Sequence, residues 1–293
     1  MNKRLRNLLP SWAIHLRRYW ARHGRVPNLV KPSRFSEKLI YRKLFDRRPI
    51  WIEVVDKVAV RSFVESRLGT NILPRAYYIT SDPETIPFEK LPGAFVVKPS
   101  HGSGWIEIVT DKSKLDREAL KATCRKWLGK SFYNQSREWA YKHVPPRIIV
   151  EEYIQDGAGR TPNDYKLFVF HGTVQMIQVD GSRFTDHRRR LYSPRWEKLP
   201  VLLGHEDIMG DIPPPPHLRE MISAAETLGR EFDFVRADFF DTPGKLYFGE
   251  LTMVPDAGNK TFRPAEFDRQ LGRLWRMPPI RRTRRLGLMR MEA

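Results

Sequence analysis

FVRADFFDTPGKLYFGELT, residues 234–252, carries the clearest structural pattern in the chain. Two apolar runs flank Thr242-Pro243-Gly244, which predicts a β-hairpin with strands at 234–241 and 245–251. A hairpin of this length can set Asp238 and Glu250 side by side on one face. Like charges opposite one another destabilise a sheet unless a cation lies between them. The two carboxylates are therefore either metal ligands or a solvated pair on the surface. We favour the cation.

These carboxylates suggest magnesium chemistry. In phosphoryl-transfer sites Mg²⁺ is usually held by one or two carboxylates together with phosphate oxygens. Arg236 precedes Asp238 by two residues and shares its face of the strand, where its charge could stabilise negative charge that develops during a reaction. The hairpin therefore predicts a metal site beside an arginine.

A lysine and a glycine-rich loop connect two further predicted strands, at 94–97 and 105–109. The loop reads Lys98-Pro99-Ser100-His101-Gly102-Ser103-Gly104. Because glycine has no Cβ, backbone N–H groups of such a loop can approach phosphate oxygens, and the lysine adds a fixed positive charge. The spacing matches neither a Walker loop nor a dinucleotide-binding fingerprint. Taken alone, the pattern is more typical of a plain β-turn.

A third segment, Ile148 to Ile154, is an apolar strand interrupted by Glu151 and Glu152. It could present backbone groups and a carboxylate to an adenine edge between two lobes, or simply leave the core for solvent. Other helices and strands are predicted at 11–23, 35–69, 115–127, 147–154, 164–171, 173–179 and 218–232. Their order indicates a mixed α+β fold without internal repeats.

Charge is concentrated at the two ends of the 293 residues. The formal net charge is +18, of which residues 1–48 carry +12 and residues 269–293 carry +7, while the body between them sums to −1. A nucleic-acid-binding protein more often spreads its positive charge across the folded domain, so we expect no nucleic-acid partner and favour attachment to an anionic surface.

The cysteine content and the hydropathy of the chain favour a reducing compartment. The single Cys124 cannot form an internal disulfide, and the eight histidines show no zinc-type spacing. The N-terminus lacks an uninterrupted apolar signal segment, and no stretch approaches 18 apolar residues. We expect a cytoplasmic protein that neither is secreted by this route nor spans a membrane.

Residues 11–23 predict a short basic amphipathic helix, with Ser11 as N-cap and Gly24 as the C-terminal stop. Its stripe of Trp12, Leu16, Tyr19 and Trp20 has two interpretations. The helix could adsorb to an anionic membrane face, or it could pack this stripe on the body of the protein.

Taken in order, several motifs resemble the TupA-like branch of the ATP-grasp superfamily, named for teichuronopeptide biosynthesis and linked with bacterial cell-surface polysaccharides. The motifs are Phe35-Ser36-Glu37-Lys38, Asp56-Lys57-Val58-Ala59-Val60-Arg61, Phe95-Val96-Val97-Lys98 with His101-Gly102-Ser103-Gly104, Asp164-Tyr165-Lys166-Leu167-Phe168 and Gly249-Glu250-Leu251-Thr252. The resemblance covers roughly residues 35 to 263.

The resemblance implies an α+β ATP-grasp fold in which ATP binds between two lobes. The implied domains are a basic N-terminal extension (1–34), an N-terminal lobe (35–95), a central lobe (96–155), a C-terminal lobe with the metal site (156–266) and a basic tail (267–293). It also implies a carboxylate-amine ligase that requires ATP and Mg²⁺ and proceeds through an acyl-phosphate, without an enzyme nucleophile.

The resemblance assigns roles to residues of this chain. Lys57 and Lys98 resemble the lysines on the ATP phosphates, and His101, Gly102, Ser103 and Gly104 form the loop over the triphosphate. Glu151, Glu152 and Ile154 resemble the adenine hinge, Asp164 a ribose-binding acid with Lys166 beside it, and Asp238 and Glu250 the Mg²⁺ ligands with Arg236 as the phosphoryl-stabilising arginine. The family often has asparagine two positions after the metal glutamate; this chain has Thr252, so that Asn259 or water would supply the missing oxygen.

For both the substrates and the reaction, the sequence leaves alternatives open. The family association implies an anionic glycan or an amino acid as substrate, and Val179-Asp180-Gly181-Ser182-Arg183 with Arg188 to Arg190 could bind an anionic sugar, although a solvated loop is the simpler interpretation. The basic ends could hold the protein at the inner membrane face. A sugar kinase on the same fold and a non-catalytic polyanion-binding protein are the competing hypotheses.

Overall fold

A four-stranded sheet, a five-stranded sheet and a short two-stranded pairing of Leu202–Leu203 with Phe262–Arg263, with helices packed around them, make up the described part of the chain. The computed structural model describes residues 10–157, 159–181 and 188–279. Its α-helices are α1 (Ser11–His23), α2 (Phe35–Phe45), α3 (Ile50–Val55), α4 (Ala59–Leu68), α5 (Arg117–Leu128), α6 (Tyr133–Ser136), α7 (Leu218–Gly229) and α8 (Glu266–Leu274). The strands are β1 (Ala76–Thr80), β2 (Phe95–Pro99), β3 (Glu107–Val109), β4 (Ile148–Glu151), β5 (Asp164–Phe170), β6 (Thr173–Gly181), β7 (Arg188–Tyr192), β8 (Leu202–Leu203), β9 (Phe234–Thr242), β10 (Lys245–Thr252) and β11 (Phe262–Arg263).

The smaller sheet has the strand order β1-β4-β2-β3, all antiparallel. Helix α5 covers it, because Leu120, Cys124 and Trp127 recur at helical spacing and share one apolar cluster with the inner faces of β2 and β4. Asp116 caps this helix by accepting from the N–H of Ala119 at 2.9 Å. Strand β3 begins at Glu107, two residues later than predicted.

The larger sheet has the order β10-β9-β5-β6-β7. Its strands β5 and β6 form the predicted hairpin at His171-Gly172, where Gly172 has a φ of +78°. Strands β9 and β10 form the hairpin predicted from residues 234–252. Helices α2, α3, α4 and α7 bury their apolar faces in the same core as this sheet. The expectation of an α+β fold is confirmed.

The segment 35–95, expected as one N-terminal lobe, divides between the two sheets. Its helices α2 to α4 share the core of the larger sheet, whereas its strand β1 pairs with β4 of the smaller sheet. This segment therefore connects the two halves of the molecule, because it contributes helices to the core of the larger sheet and a strand to the smaller sheet.

Arg42 of α2 is the most deeply buried cation of this core. Its guanidinium donates to Asp233 Oδ2 (2.8 Å) and to the carbonyl oxygens of Phe234 (2.8 Å) and Met253 (3.0 Å). It also stacks on Trp275, with 4.3 Å from Cζ to the ring centroid. Arg42 thereby joins an N-terminal helix to four residues late in the chain.

Helix α1 spans the predicted residues, and Gly24 ends it with a φ of +65°. Ser11 is not the N-cap, because the helix begins after Pro10 and the Ser11 hydroxyl instead contacts Tyr133 Oη at 2.8 Å. The buried face is Ile14, His15 and Tyr19. Trp12 and Trp20 remain 47% and 60% exposed, so that only part of the apolar stripe packs on the body. No helix among residues 10–157, 159–181 and 188–279 is long and apolar enough to cross a membrane.

Candidate functional site

Two adjoining cavities lie between the sheets. The first has a volume of about 520 Å³, and the second, toward the 151–164 connection, has a volume of about 620 Å³. Lys98, Glu151 and Asp180 line both. The two cavities therefore form one continuous groove with charged residues at its centre.

Lys57 and the glycine-rich loop form one wall of the first cavity. The Lys57 ammonium donates to the carbonyl oxygen of Gly102, and its backbone N–H donates to Ser100 O at 3.2 Å. A Cβ on Gly102 would lie 2.6 Å from the Trp105 ring, so only glycine fits there. Ser103 and Gly104 line the cavity, as expected of a loop that covers a ligand.

His101 occupies a different position from the rest of this loop. Its side chain is buried against α5, where Nε2 lies 3.1 Å from Trp127 O and 3.2 Å from Lys130 O. Burial lowers its pKa, and it lines neither of the two cavities. We infer that His101 anchors the loop rather than touching a ligand.

The strand β4 and its continuation form the boundary between the cavities. Lys98 on β2 forms an ion pair with Glu151 across the β2–β4 ladder. Glu152 accepts hydrogen bonds from the Arg75 N–H (3.0 Å) and the Tyr247 hydroxyl (2.8 Å). Together with Glu151 and Asp164, Glu152 and Ile154 line the second cavity. The hinge residues predicted from sequence thus lie on one surface.

The predicted metal ligands are brought together by the terminal hairpin. Glu250 pairs directly with Asp238, because the register shifts by one residue at Gly249. Arg236 donates to both carboxylate oxygens of Asp238 (2.7 and 2.6 Å) and approaches Glu250 Oε1 at 3.3 Å. The Thr252 hydroxyl donates to the same Oε1 at 3.0 Å. Arg236 therefore lies beside the two carboxylates, as predicted, and itself supplies part of the positive charge between them.

Lys166 lies behind these carboxylates on β5. Its ammonium forms an ion pair with Asp164 and lies 3.4 Å from Asp238 and 3.7 Å from Asp180. Burial works against its charge, but Asp164 and Asp238 outweigh burial and raise the Lys166 pKa. Lys166 is therefore a permanent cation that holds the neighbouring aspartates in place.

A further group of charged residues on this surface was not predicted as an ion-pair cluster from the sequence. Arg189 on β7 donates to Asp180 Oδ1 (2.7 Å) and to Asp256 Oδ2 (3.1 Å), and all three residues line the first cavity. Arg190 is buried and bonded to Asp207 (2.7 Å). The interpretation of 188–190 as a solvated loop is therefore wrong, because a strand buries both arginines among carboxylates. Ser182 and Arg183 lie outside the described residues.

The two carboxylates of the hairpin are both ionised at neutral pH. Burial opposes the charge of Glu250, but nearby cations, foremost Lys57 and Arg236, outweigh burial and lower the Glu250 pKa to about 2. Burial raises the Asp238 pKa to about 6, against the opposite effect of Arg236 and Lys166. Lys57 itself is half-buried, and this loss of hydration lowers its pKa to about 8.

This donor set fits a divalent cation bound together with phosphate oxygens. The Glu250 side chain is 40% exposed, and its described contacts use Oε1, which leaves Oε2 available. Asn259 lines the same cavity. No group of three or more His, Cys, Asp or Glu in the described ranges could hold a metal by itself, so a metal here would need oxygens from a ligand.

Several solved structures resemble this chain at low identity. A D-alanine–D-alanine ligase from Bacillus anthracis complexed with ATP is 16% identical, covering 69% of this chain and 54% of that one (TM-score 0.42). The ATP-grasp ligase PsnB complexed with a minimal precursor is 13% identical, covering 74% and 60% (TM-score 0.42). An L-amino acid ligase from Bacillus licheniformis is 17% identical, covering 70% and 42% (TM-score 0.42). This chain thus matches roughly half the length of those proteins.

Sequence comparison gives a more specific result than the structural likenesses. No curated protein matches the chain. The sequence pattern of the family described as TupA-like ATPgrasp matches residues 37–276, which include every residue of the groove assigned above. The chain therefore belongs to the TupA-like ATP-grasp family.

Proposed function

We propose that this protein is an ATP- and Mg²⁺-dependent ligase that joins a carboxylate to an amine through an acyl-phosphate. The observation that carries the proposal is the continuous groove, in which the hinge residues line one cavity and the lysines and hairpin carboxylates line the other. Membership of the ATP-grasp family supports the same conclusion.

In this proposal the nucleotide lies across the boundary between the cavities. The adenine occupies the second cavity beside Glu151, Glu152 and Ile154, and Asp164 contacts the ribose. The triphosphate enters the first cavity, where Lys57, Lys98 and the Gly102–Gly104 loop neutralise and cover it. The shared position of Lys98 in both cavities supports this orientation.

Asp238 and Glu250 would hold Mg²⁺, with Thr252, Asn259 or water completing the shell. When bound, the metal would neutralise charge on the phosphates. Arg236 would stabilise the transferring phosphoryl group, and Lys166 would keep Asp238 oriented. The substrate carboxylate attacks the γ-phosphorus and ADP leaves, and the amine then attacks the carbonyl carbon of the acyl-phosphate and displaces phosphate to form the amide. No side chain has to act as a nucleophile.

Thermal unfolding tests the nucleotide site. A ligand at about 100 times its dissociation constant stabilises a fold by about 2.7 kcal/mol, a shift of a few degrees for a protein of this size. We expect MgATP to shift the wild type, and Lys98→Ala and the double variant Asp238→Asn/Glu250→Gln to lose most of the shift. Glu65→Gln, on the exposed face of α4, is the matched control. A well-folded wild type without any shift at millimolar MgATP would exclude the proposal.

Product analysis separates the ligase from its alternatives. A ligase turns over to amide, ADP and phosphate when both a carboxylate and an amine are present, whereas a sugar kinase turns over to ADP and a stable phosphorylated product without an amine. A polyanion-binding protein would bind anionic polymers in a salt-dependent way and would retain this binding in the Asp238→Asn/Glu250→Gln variant.

We also propose that the protein works on precursors of a bacterial surface polysaccharide, with an anionic glycan or an amino acid as substrate, at the inner face of the membrane. Exposed Trp12 and Trp20, together with exposed Arg17 and Arg22 on the same helix, support contact with anionic lipid. Sedimentation with vesicles tests this contact. Anionic vesicles should bind the wild type but not Trp12→Ser/Trp20→Ser, and neutral vesicles should bind neither.

A further inference from the structure

Glu138 is a buried carboxylate that the proposed nucleotide site does not use. The residue is 7% exposed and lines the first cavity. Its backbone N–H donates to Ser136 Oγ (3.1 Å), but among the described residues its side chain has no ion pair or hydrogen bond. A buried charge without a partner is costly, so Glu138 in its ionised form needs a cation beside it.

Lys43 does not meet this requirement. Its ammonium donates to the carbonyl oxygen of Ala257 at 3.0 Å and does not come within ion-pair distance of Glu138. Burial raises the pKa of Glu138 to about 7 in spite of the favourable effect of Lys43. The carboxylate therefore remains poorly stabilised in the free protein.

Glu138 lies near the residues proposed for phosphoryl transfer. Tyr141, which lines the same cavity, is half-buried, and loss of hydration, Glu138 and Glu250 all raise its pKa. Glu250 also contributes to the raised pKa of Glu138. Glu138 also lines the same cavity as Lys57 and Glu250, so a group bound at Glu138 would lie in the cavity proposed for the triphosphate.

Helix α1 places a positively charged residue, Arg18, at the cavity that Glu138 lines. Arg18 lines the cavity, and its Nη2 donates to Gln135 O at 3.2 Å. His15 Nε2 contacts Arg137 O at 3.3 Å, so that α1 is docked on the segment that carries Glu138. Helix α1 precedes residue 37, where the family match begins. This wall of the pocket therefore lies outside the region shared with the family.

We infer that the Glu138 end of the first cavity binds the amine substrate, and that this substrate is an α-amino acid whose ammonium contacts Glu138 and whose carboxylate lies toward Arg18. A primary ammonium satisfies the unpartnered carboxylate, and a guanidinium binds a carboxylate well. The inference rests on the proposed function for the chemistry of the neighbouring site, but the pocket itself is defined without ATP.

Binding measurements on the full chain test the inference without turnover. Isothermal calorimetry is run with the common amino acids one at a time, with and without MgADP, and with methylamine and acetate as single-group probes. At least one amino acid should bind more tightly than either single-group probe. Glu138→Gln should weaken that amino acid roughly ten- to a hundred-fold and Arg18→Gln roughly tenfold, while Glu65→Gln leaves the dissociation constant unchanged.

The remaining outcomes separate the inference from the proposed function. Failure of every amino acid to bind, or equal binding to wild type and Glu138→Gln, would overturn the inference even if MgATP binds normally. Failure of the wild type to bind MgATP would instead refute the ligase proposal. Thermal unfolding checks the variant itself. Glu138→Gln removes an unpartnered charge and should keep or raise the melting temperature, whereas a fall of several degrees would mean that Glu138 is structural.

Discussion

Glu250 lies directly across the β9–β10 ladder from Asp238, and the single guanidinium of Arg236 contacts both carboxylates. The two acids nevertheless differ in their surroundings. Asp238 is buried and receives both arms of the guanidinium, whereas the side chain of Glu250 is partly exposed to the cavity. In our proposal both acids would hold the metal, but Asp238 in addition stabilises the fold through its buried contact with Arg236.

Neutralising these acids should separate the two effects. Asp238→Asn leaves the buried Arg236 without its bidentate partner and should lower the free energy of unfolding by about 3 kcal/mol. Glu250→Gln should lower it by no more than about 1 kcal/mol, because the side chain is partly solvated. Urea unfolding measures both. Equal losses would contradict the division of roles between the two carboxylates.

Gly249 should be as important as the carboxylates that it aligns. A Cβ at this position would lie 3.1 Å from the Asp238 carbonyl oxygen and 3.3 Å from the Phe240 ring. Gly249→Ala should therefore cost about 1–2 kcal/mol of stability and weaken MgATP binding, since any adjustment moves Glu250. Gly93→Ala is the control, because nothing lies within 4 Å of its added Cβ. A neutral Gly249→Ala variant would mean that the register shift does not depend on glycine.

Lys57 should make MgATP affinity depend on pH in the alkaline range. Burial lowers its pKa to about 8, so the ammonium is charged below this pH and neutral above it. A triphosphate favours the charged form, and the association constant should fall by up to about tenfold per pH unit above pH 8. Lys57→Arg keeps its charge and should flatten the profile between about pH 7.5 and 9.5. Calorimetric titrations at each pH would reveal an unchanged slope if Lys57 were not involved.

Acid should release helix α1 from the body. Burial, with Lys43 and Arg18 nearby, lowers the pKa of His15 to about 3, well below the ordinary 6.5. The undocked helix therefore binds more protons below pH 6.5, and docking should weaken by about 2 kcal/mol between pH 7 and pH 5.

Hydrogen exchange of residues 11–23 measures this release, after correction for intrinsic rates. Protection should fall roughly twenty- to thirty-fold over this pH range in the wild type, and the same should hold for His143→Gln, which changes an exposed histidine. His15→Gln should abolish most of the pH dependence. Constant protection in the wild type would show that His15 is not the group that titrates.

The hairpin illustrates what could be predicted from the sequence. Apolar runs on either side of Thr242-Pro243-Gly244 fixed both strands to within about a residue, since turn chemistry and alternation are local properties. The direct pairing of Asp238 with Glu250, however, depends on the extra residue at Gly249. A bulge has no firm sequence signature, although a glycine inside a strand is a signal for one.

Glu138 and Arg189 show why other parts of the groove escaped prediction. Arg189 reads as one of three consecutive arginines, and only the pairing of β6 with β7 reveals that it faces Asp180. Glu138 lies in an irregular segment between α6 and β4, where no periodicity indicates which side chains are buried. Burial and partners of such residues are tertiary properties, which a one-dimensional pattern does not contain.

Arg42 has a consequence for how the chain is made. The acceptors of its guanidinium lie about 190 to 210 residues downstream, and the ring of Trp275 that stacks on it lies later still. During synthesis on the ribosome, helix α2 can form early by itself, but its arginine has no native partner until the last strands and α8 have emerged. The nascent N-terminal half must therefore keep this charge hydrated, and the core closes only when translation of the described region is nearly complete.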